Sequence, residues 1–375
     1  MFDLIQLVIL NLMIGVLLGI TPFISHESLP FGVGLSLDDH TRDIVKHQKK
    51  SYLMLNIGIS LLLTLIILVV GLTQNELKLE QLVYLSIGGL FIQIIVSLVV
   101  YVIKNKQLLQ LKKELGRDNH SSQKVVVDLS FRDQKLVFPT SYLIILNLVF
   151  IAVTVLYTVF HYQDIPATFV TKWDTNMNPV QWSQKSWLTV LGIPMMQVFI
   201  ASVMGIANHS FLKAKQRLDV NNPEVSAAQN KAFRKKSSLM NFIISVIAQI
   251  LLMFVQFSTV FQIIEPETTM IASIIFTVLL VGMVIWVSAV YGQGGSRLKK
   301  VRLNNESIDL KEITQTFEDD THWKWGLFYY NAEDPSVWVE KRMGLGVTTN
   351  FARWQTWVFL GSILIIPIVV VLVMS

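Results

Sequence analysis

The chain has 375 residues, 52% of them hydrophobic and only 15% charged, with a formal net charge of +5 and no cysteine. Soluble domains carry about 25% charged residues, and the absence of thiols excludes disulfide frameworks, thiolate nucleophiles and cysteine metal sites. The mean hydropathy is +0.52, and several apolar runs approach the ~20 residues that a bilayer crossing needs. Together these point to an all-α polytopic membrane protein and away from a soluble enzyme.

In chain order, eight spans are expected at about 3–24, 52–72, 82–103, 142–161, 187–207, 239–262, 269–291 and 355–374. Lipid offers no partner to a bare peptide group, so each span should be a helix. Their near-continuous hydrophobicity differs from the alternation of barrel strands. The first span lacks a basic leader and a small-residue cleavage site, and it reads as a membrane helix. The organisation expected is three helices with a loop at 25–51 (1–103), then a loop with one strand (104–141). A helix pair flanking loop 161–187 follows (142–207), then a basic loop with helices six and seven (208–291). An aromatic module (292–354) and a last helix (355–375) complete it.

Charge sets the expected orientation. Loops 25–51, 104–141, 208–238 and 292–354 hold four, eight, seven and nine Lys/Arg, whereas the alternate loops hold only Lys78, Lys172 and Lys185. The positive-inside bias places the rich loops in the cytoplasm and both termini outside. Basic residues next to membrane helices suit anionic head groups, so no nucleic-acid partner is expected.

Ionisable residues inside spans would mark an ion-coupled pump. Asp3, His161 and His209 lie only at span ends, and the interior polar residues are the amides Asn11, Asn56, Gln93, Asn147, Gln197, Gln249 and Gln256. These read first as interhelical hydrogen-bonding groups, and second as a path for a neutral solute. Pro194 and Pro367 are expected to kink their helices. No H-E-x-x-H, G-x-S-x-G or phosphate-loop pattern occurs, so no catalytic residue, cofactor or metal is assigned. Asp38, Asp39, His40, Asp43 and His47 read as an acidic helix start rather than a metal cluster, with Lys46, Lys49 and Lys50 nearer its end. That helix should run into span two. Glu318, Asp319, Asp320 and His322 read as solvated charge near Arg297, Lys299, Lys300 and Arg302. G-Q-G-G at 292–295 reads as a flexible exit from span seven.

Two loops stand out. The outer loop 161–187 holds Trp173, Trp182 and Trp187 with turn-forming Asp, Pro and Asn, and a compact lid is expected. Thr171, Lys172, Trp173, Asp174, Trp182 and Lys185 are its candidate contacts for an extracellular peptide or lipid. The stretch 323–354 holds four tryptophans among charges. GLFYYN (326–331) and SVWVEKR (336–342) alternate like strands around the turn AEDP. One β-hairpin is expected, with KVVVDLSF (124–131) as a third strand, since a lone hairpin is marginal. Lys341, Arg342 and Arg353 are expected at lipid head groups. Candidate docking residues for the bilayer or a cytoplasmic regulator are Trp323, Tyr329, Tyr330, Asn331, Asp334, Trp338, Lys341, Arg342 and Asn350.

The pattern P-x-x-F-V-T-K-W-D…V-Q-W-S-Q-K-S-W (166–187), followed by Pro194, resembles the short extracytoplasmic domain of the Sdp immunity-protein family. Thr171, Trp173, Trp182 and Lys185 match that pattern, while Lys172, Met177 and Gln184 stand where it has His, Gly and Ser. TPFISHESLPFGVGLSLDDH (21–40) and KVVVDLSFRDQKLVF (124–138) resemble other segments of that family. Residues 323–353 resemble a second domain that ends many such proteins, with Ala332 where Pro is common. The resemblance implies a bacterial cytoplasmic-membrane protein of envelope defence, antimicrobial-peptide immunity or signalling, and brings no catalytic residue. A transporter or permease component is the alternative.

Overall fold

The structure, a computed structural model, describes residues 2–35, 38–73, 79–116, 136–173, 178–215, 218–219, 222–303, 306–309 and 320–374. The helices are α1 (Phe2–Ile24), α2 (Asp39–Thr73), α3 (Leu79–Glu114), α4 (Thr140–Phe160), a short α5 (Trp187–Val190), α6 (Gly192–Lys213), α7 (Pro223–Thr259), α8 (Pro266–Tyr291) and α9 (Trp354–Met374). Eight of them are long and apolar enough to cross a membrane. Small antiparallel strand pairs join them: β1 (Thr168–Trp173) with β2 (Pro179–Gln184), β3 (Lys300–Leu303) with β4 (Glu306–Asp309), β5 (Trp323–Lys324) with β6 (Phe328–Tyr329), and β7 (Trp338–Glu340) with β8 (Val347–Thr349).

The expected acidic helix start is present. Asp38 Oδ1 accepts from Thr41 N at 2.8 Å, an N-cap bond, and α2 then runs unbroken into span two. At 1.5 Å per residue its 35 residues reach about 52 Å, well beyond the ~30 Å hydrocarbon core. α3 and α7 are similarly long. These three helices therefore carry buried side chains out of the bilayer.

The helices pack as two groups, α1–α3 and α4 with α6–α9. Both are apolar outside and polar within. Leu61, Leu65, Phe91 and Ile95 face outward, whereas Asn11, Asn56, Ser60 and Gln93 are sealed inside. The inner face of α2 repeats every four residues through Tyr52, Asn56, Ser60 and Thr64, the spacing that stacks side chains on one helical face. Asn11 Nδ2 donates to Ser86 Oγ at 2.7 Å, and Ser60 Oγ donates to the Asn11 carbonyl at 2.8 Å. Gly15 permits this approach, since a Cβ there would lie 2.3 Å from that of Ser60. In the second group Gln249 Nε2 donates to the Gln197 carbonyl and Gln256 Nε2 to Thr158 Oγ1. Lipid supplies no hydrophobic force between helices, so small residues and hydrogen bonds hold them.

Several expectations need correcting. The fifth span is broken at Leu191, and Pro194 sits in the first turn of α6, where a missing N–H costs nothing. Loop 161–187, expected as a compact lid, holds the β1–β2 hairpin. GLFYYN and SVWVEKR do not pair with each other. β6 turns back on β5 because Trp325 (φ 55°) and Gly326 (φ 68°) adopt left-handed conformations. β7 turns forward onto β8 through Gly344 and Gly346. The third strand proposed at 124–131 lies outside the described residues. The G-Q-G-G exit is ordered: Gln293 donates to the Gly346 carbonyl at 2.8 Å and accepts from Gly346 N at 2.7 Å.

Candidate functional site

The C-terminal module is built on a buried polar frame. Asp320 Oδ2 accepts from Lys112 Nζ of α3 at 2.8 Å, and its Oδ1 accepts from Gly34 N at 3.0 Å and from Arg342. Arg342 is 1% exposed. It also donates to the Gly32 carbonyl at 2.6 Å and lies 4.9 Å from the Trp323 ring centre. The tip of the β5–β6 turn meets the 30–32 turn backbone to backbone. A Cβ on Gly32 would fall 2.5 Å from Gly326 Cα. Asn105 of α3 braces the same place through the Phe31 carbonyl at 2.8 Å. The module is thus fastened to the α1–α3 group.

A second set of bonds fastens it to the other group. Arg234 of α7 is 3% exposed and bonds Glu340 at 3.0 Å, while also donating to the carbonyls of Phe211 and Ala214 at the end of α6. Asn230, one turn earlier, donates to the same carboxylate. Lys215 Nζ lies 2.8 Å from Asp334 Oδ2, and its backbone N–H donates to the Trp338 carbonyl. Burial alone would raise the Asp334 carboxyl. The bonds from Lys215, Ser336 and Tyr329 outweigh it and hold the group at about 2.

Most of the candidate docking residues are therefore internal. Trp323, Tyr329, Asp334, Arg342 and Asn350 are buried. Arg342 does not face head groups, because Asp320 and the Gly32 carbonyl hold it inside. Arg353 is drawn onto the Ala332 and Asp334 carbonyls. Asp320 is half-buried and ion-paired with Lys112 and Arg342, not solvated. Asn331 bonds Asn350, and Trp338 packs edge-on against Phe359 with ring centres 5.2 Å apart. Lys341 is half-buried, and burial lowers its pKa. Tyr330 remains exposed. The reading of residues missed Lys112, Lys215, Arg234 and Glu340. A signal existed for two: Arg234 continues the buried stripe of α7 one turn after Asn230, and Lys112 continues that of α3 after Tyr101, Asn105 and Leu108.

The β1–β2 hairpin is fastened differently. Phe169 of β1 is fully buried with Ile165, Val190, Ile193 and Val260, the last immediately after α7. Lys185 Nζ donates to the Ile165 carbonyl at 2.9 Å and stands 4.6 Å from the Tyr162 ring centre, and Tyr162 stacks on Trp187 at 3.9 Å. Among the candidate contacts, Lys185 thus ties the base of the hairpin. Thr171 and Trp173 are partly exposed on β1, and Trp182, paired with Val170, is 53% exposed beside Val180. Lys172 pairs with Gln181 along the backbone. Asp174 lies outside the described residues.

Among the described residues no group of three or more His, Asp or Glu side chains is placed to hold a metal ion. Eight membrane-length helices joined by small antiparallel strand pairs define a multi-pass membrane protein. Residues 149–198, which include the β1–β2 hairpin, match a domain of unknown function, DUF1648. Residues 332–357, from the Asp334 loop to the start of α9, match a family of unknown function, DUF5808. No curated protein and no solved structure matches the chain.

Proposed function

We propose that the chain is a non-enzymatic bacterial cytoplasmic-membrane protein of envelope defence, serving antimicrobial-peptide immunity or signalling. The outer hairpin receives a membrane-active peptide or a lipid disturbance, and the C-terminal module reports it to the cytoplasm, with both termini outside. The observation that carries this reading is α7. Its outer end packs against Phe169 of the hairpin, and Arg234 near its inner end holds Glu340 of the module. Those two points lie about 39 Å apart along one unbroken helix, and that continuity supports a coupling between them. The resemblance to the Sdp immunity family supports it by analogy.

The test is deletion of the gene, followed by exposure of deletion, complemented and wild-type cells to membrane-active peptides. Selective sensitivity that complementation rescues is expected. Trp173→Ala with Trp182→Ala should abolish protection at an unchanged protein level, and intact protection would remove the hairpin from the mechanism. The buried amides favour a second reading, a transporter component. It predicts solute flux in proteoliposomes that Gln197→Ala or Gln256→Ala reduces, and flux equal to empty vesicles ends it for the solutes tried.

A further inference from the structure

Every second side chain of the β5–β6 hairpin is buried, and the remainder form an exposed face. Trp323 and Tyr329 point into the module, whereas Lys324 and Phe328 are cross-strand partners on the outside. Cross-strand partners share one face of a hairpin. Phe328 begins a row of aromatic rings. Its ring centre lies 6.2 Å from Trp325 in the turn and 5.2 Å from Phe351, and Phe351 lies 5.8 Å from Trp357. Trp325, Trp354 and Trp357 are 53%, 69% and 61% exposed.

The row has a fixed height relative to α9. Phe351 N donates to the Tyr329 carbonyl at 2.9 Å, Trp357 Nε1 to the Phe351 carbonyl at 3.2 Å, and Thr356 Oγ1 to the Asn350 carbonyl at 2.7 Å. α9 has 21 residues, about 31 Å of helix, which matches the ~30 Å hydrocarbon core. Trp354 and Trp357 therefore stand at the edge of that core, where aromatic belts collect. The head-group layer beyond it is about 5–8 Å deep. The two ring-to-ring steps from Trp357 to Phe328, 5.8 and 5.2 Å, are comparable with the first turn of α9, about 5.4 Å, and that layer taken together.

We infer that the Trp325–Phe328–Phe351 face is a membrane-seated foot of the C-terminal module, lodged in the head-group layer beside the start of α9 with Lys324 on anionic lipid. Two observations select lipid as the occupant. The row is continuous with the outward surface of a membrane-spanning helix, and its one cross-strand cation complements anionic head groups. The foot is distinct from the polar frame, whose side chains point the other way. It gives the module a contact with the bilayer that does not pass through the helices.

The chain has no cysteine, so a single introduced thiol takes a nitroxide without background. Phe328→Cys would be labelled in the full chain, reconstituted in vesicles of phosphatidylcholine with phosphatidylglycerol. Val358→Cys on α9 and Glu114→Cys at the end of α3, both at exposed positions, serve as lipid and water references. The label at 328 is expected to be several-fold better shielded from a polar nickel reagent than that at 114, and to meet dissolved oxygen as the label at 358 does. Nickel access at 328 equal to that at 114 overturns the inference and leaves the row facing water, as a protein-docking face would. Should Phe328→Cys not fold, Lys324→Cys carries the label on the same exposed face and is read the same way.

Discussion

The β1–β2 hairpin is fastened by Phe169, a side chain with no polar atom, whereas the C-terminal module is fastened by Arg342, Arg234, Asp320 and Glu340. Both small β units lack the area to fold alone, so each borrows a surface from the helices. The hairpin shares an apolar cluster with α6 and the end of α7. Apolar contact is non-directional and tolerates sliding. The C-terminal module uses ion pairs and backbone carbonyls, which admit one register. Breaking a buried pair leaves an uncompensated charge. The difference leaves the β1–β2 hairpin held by packing alone at Phe169 and the C-terminal module held in one register against α7.

The comparison is broken most directly by Arg342→Met. It leaves Asp320 with Lys112 and Gly34 N alone and unpairs the Gly32 carbonyl, which should cost roughly 3–4 kcal/mol for the two charged hydrogen bonds lost, read as a loss of thermal stability in detergent. Phe169→Ala should cost roughly 3 kcal/mol through the cavity it leaves, with proteolytic sensitivity appearing first in the 161–187 loop. If Phe169→Ala destabilised the C-terminal module as much as the hairpin, the two units would be one cooperative body. Glu340→Gln should cost about 2 kcal/mol by weakening a charged hydrogen bond, and hydrogen exchange should rise at both ends of α7 if that helix couples them. Asp334 supplies a smaller, pH-dependent effect. Its carboxyl is held at about 2, below its ordinary value near 3.9. Its contribution is present above pH ~4 and is lost as pH falls toward ~2. It amounts to about 1–2 kcal/mol once the half-exposed Lys215 partner is discounted, and Asp334→Asn should flatten that part of the stability profile. Lys185→Met should change stability least, by about 1 kcal/mol, because that lysine is partly exposed at the hairpin base.

The eight spans were legible because hydrophobic length is read directly from composition, and the α2 start was legible because Asp38 caps it. The inner faces were half legible. Asn11, Asn56 and Gln249 announce themselves as amides in apolar runs, but their partners depend on which helices meet. The strand pairing was not legible. SVWVEKR alternates whatever it pairs with, and the left-handed conformation at Trp325 is one that a tryptophan rarely adopts. The role of Arg342 was hidden for a related reason. A basic residue beside aromatics reads as a head-group contact, and only the distant partners Asp320 and Gly32 make it an interior one.

The meeting of Gly32 and Gly326 has a genetic consequence. Each has a positive φ, and each would drive a Cβ into the other's backbone. Both positions already carry the smallest side chain available. A substitution at one therefore has no compensating change at the other, and intragenic suppressors of Gly32→Ala must arise where the two turns can be moved apart, such as Asn105 or Arg342. A suppressor screen started from that single change would trace the seam between the first helix group and the module.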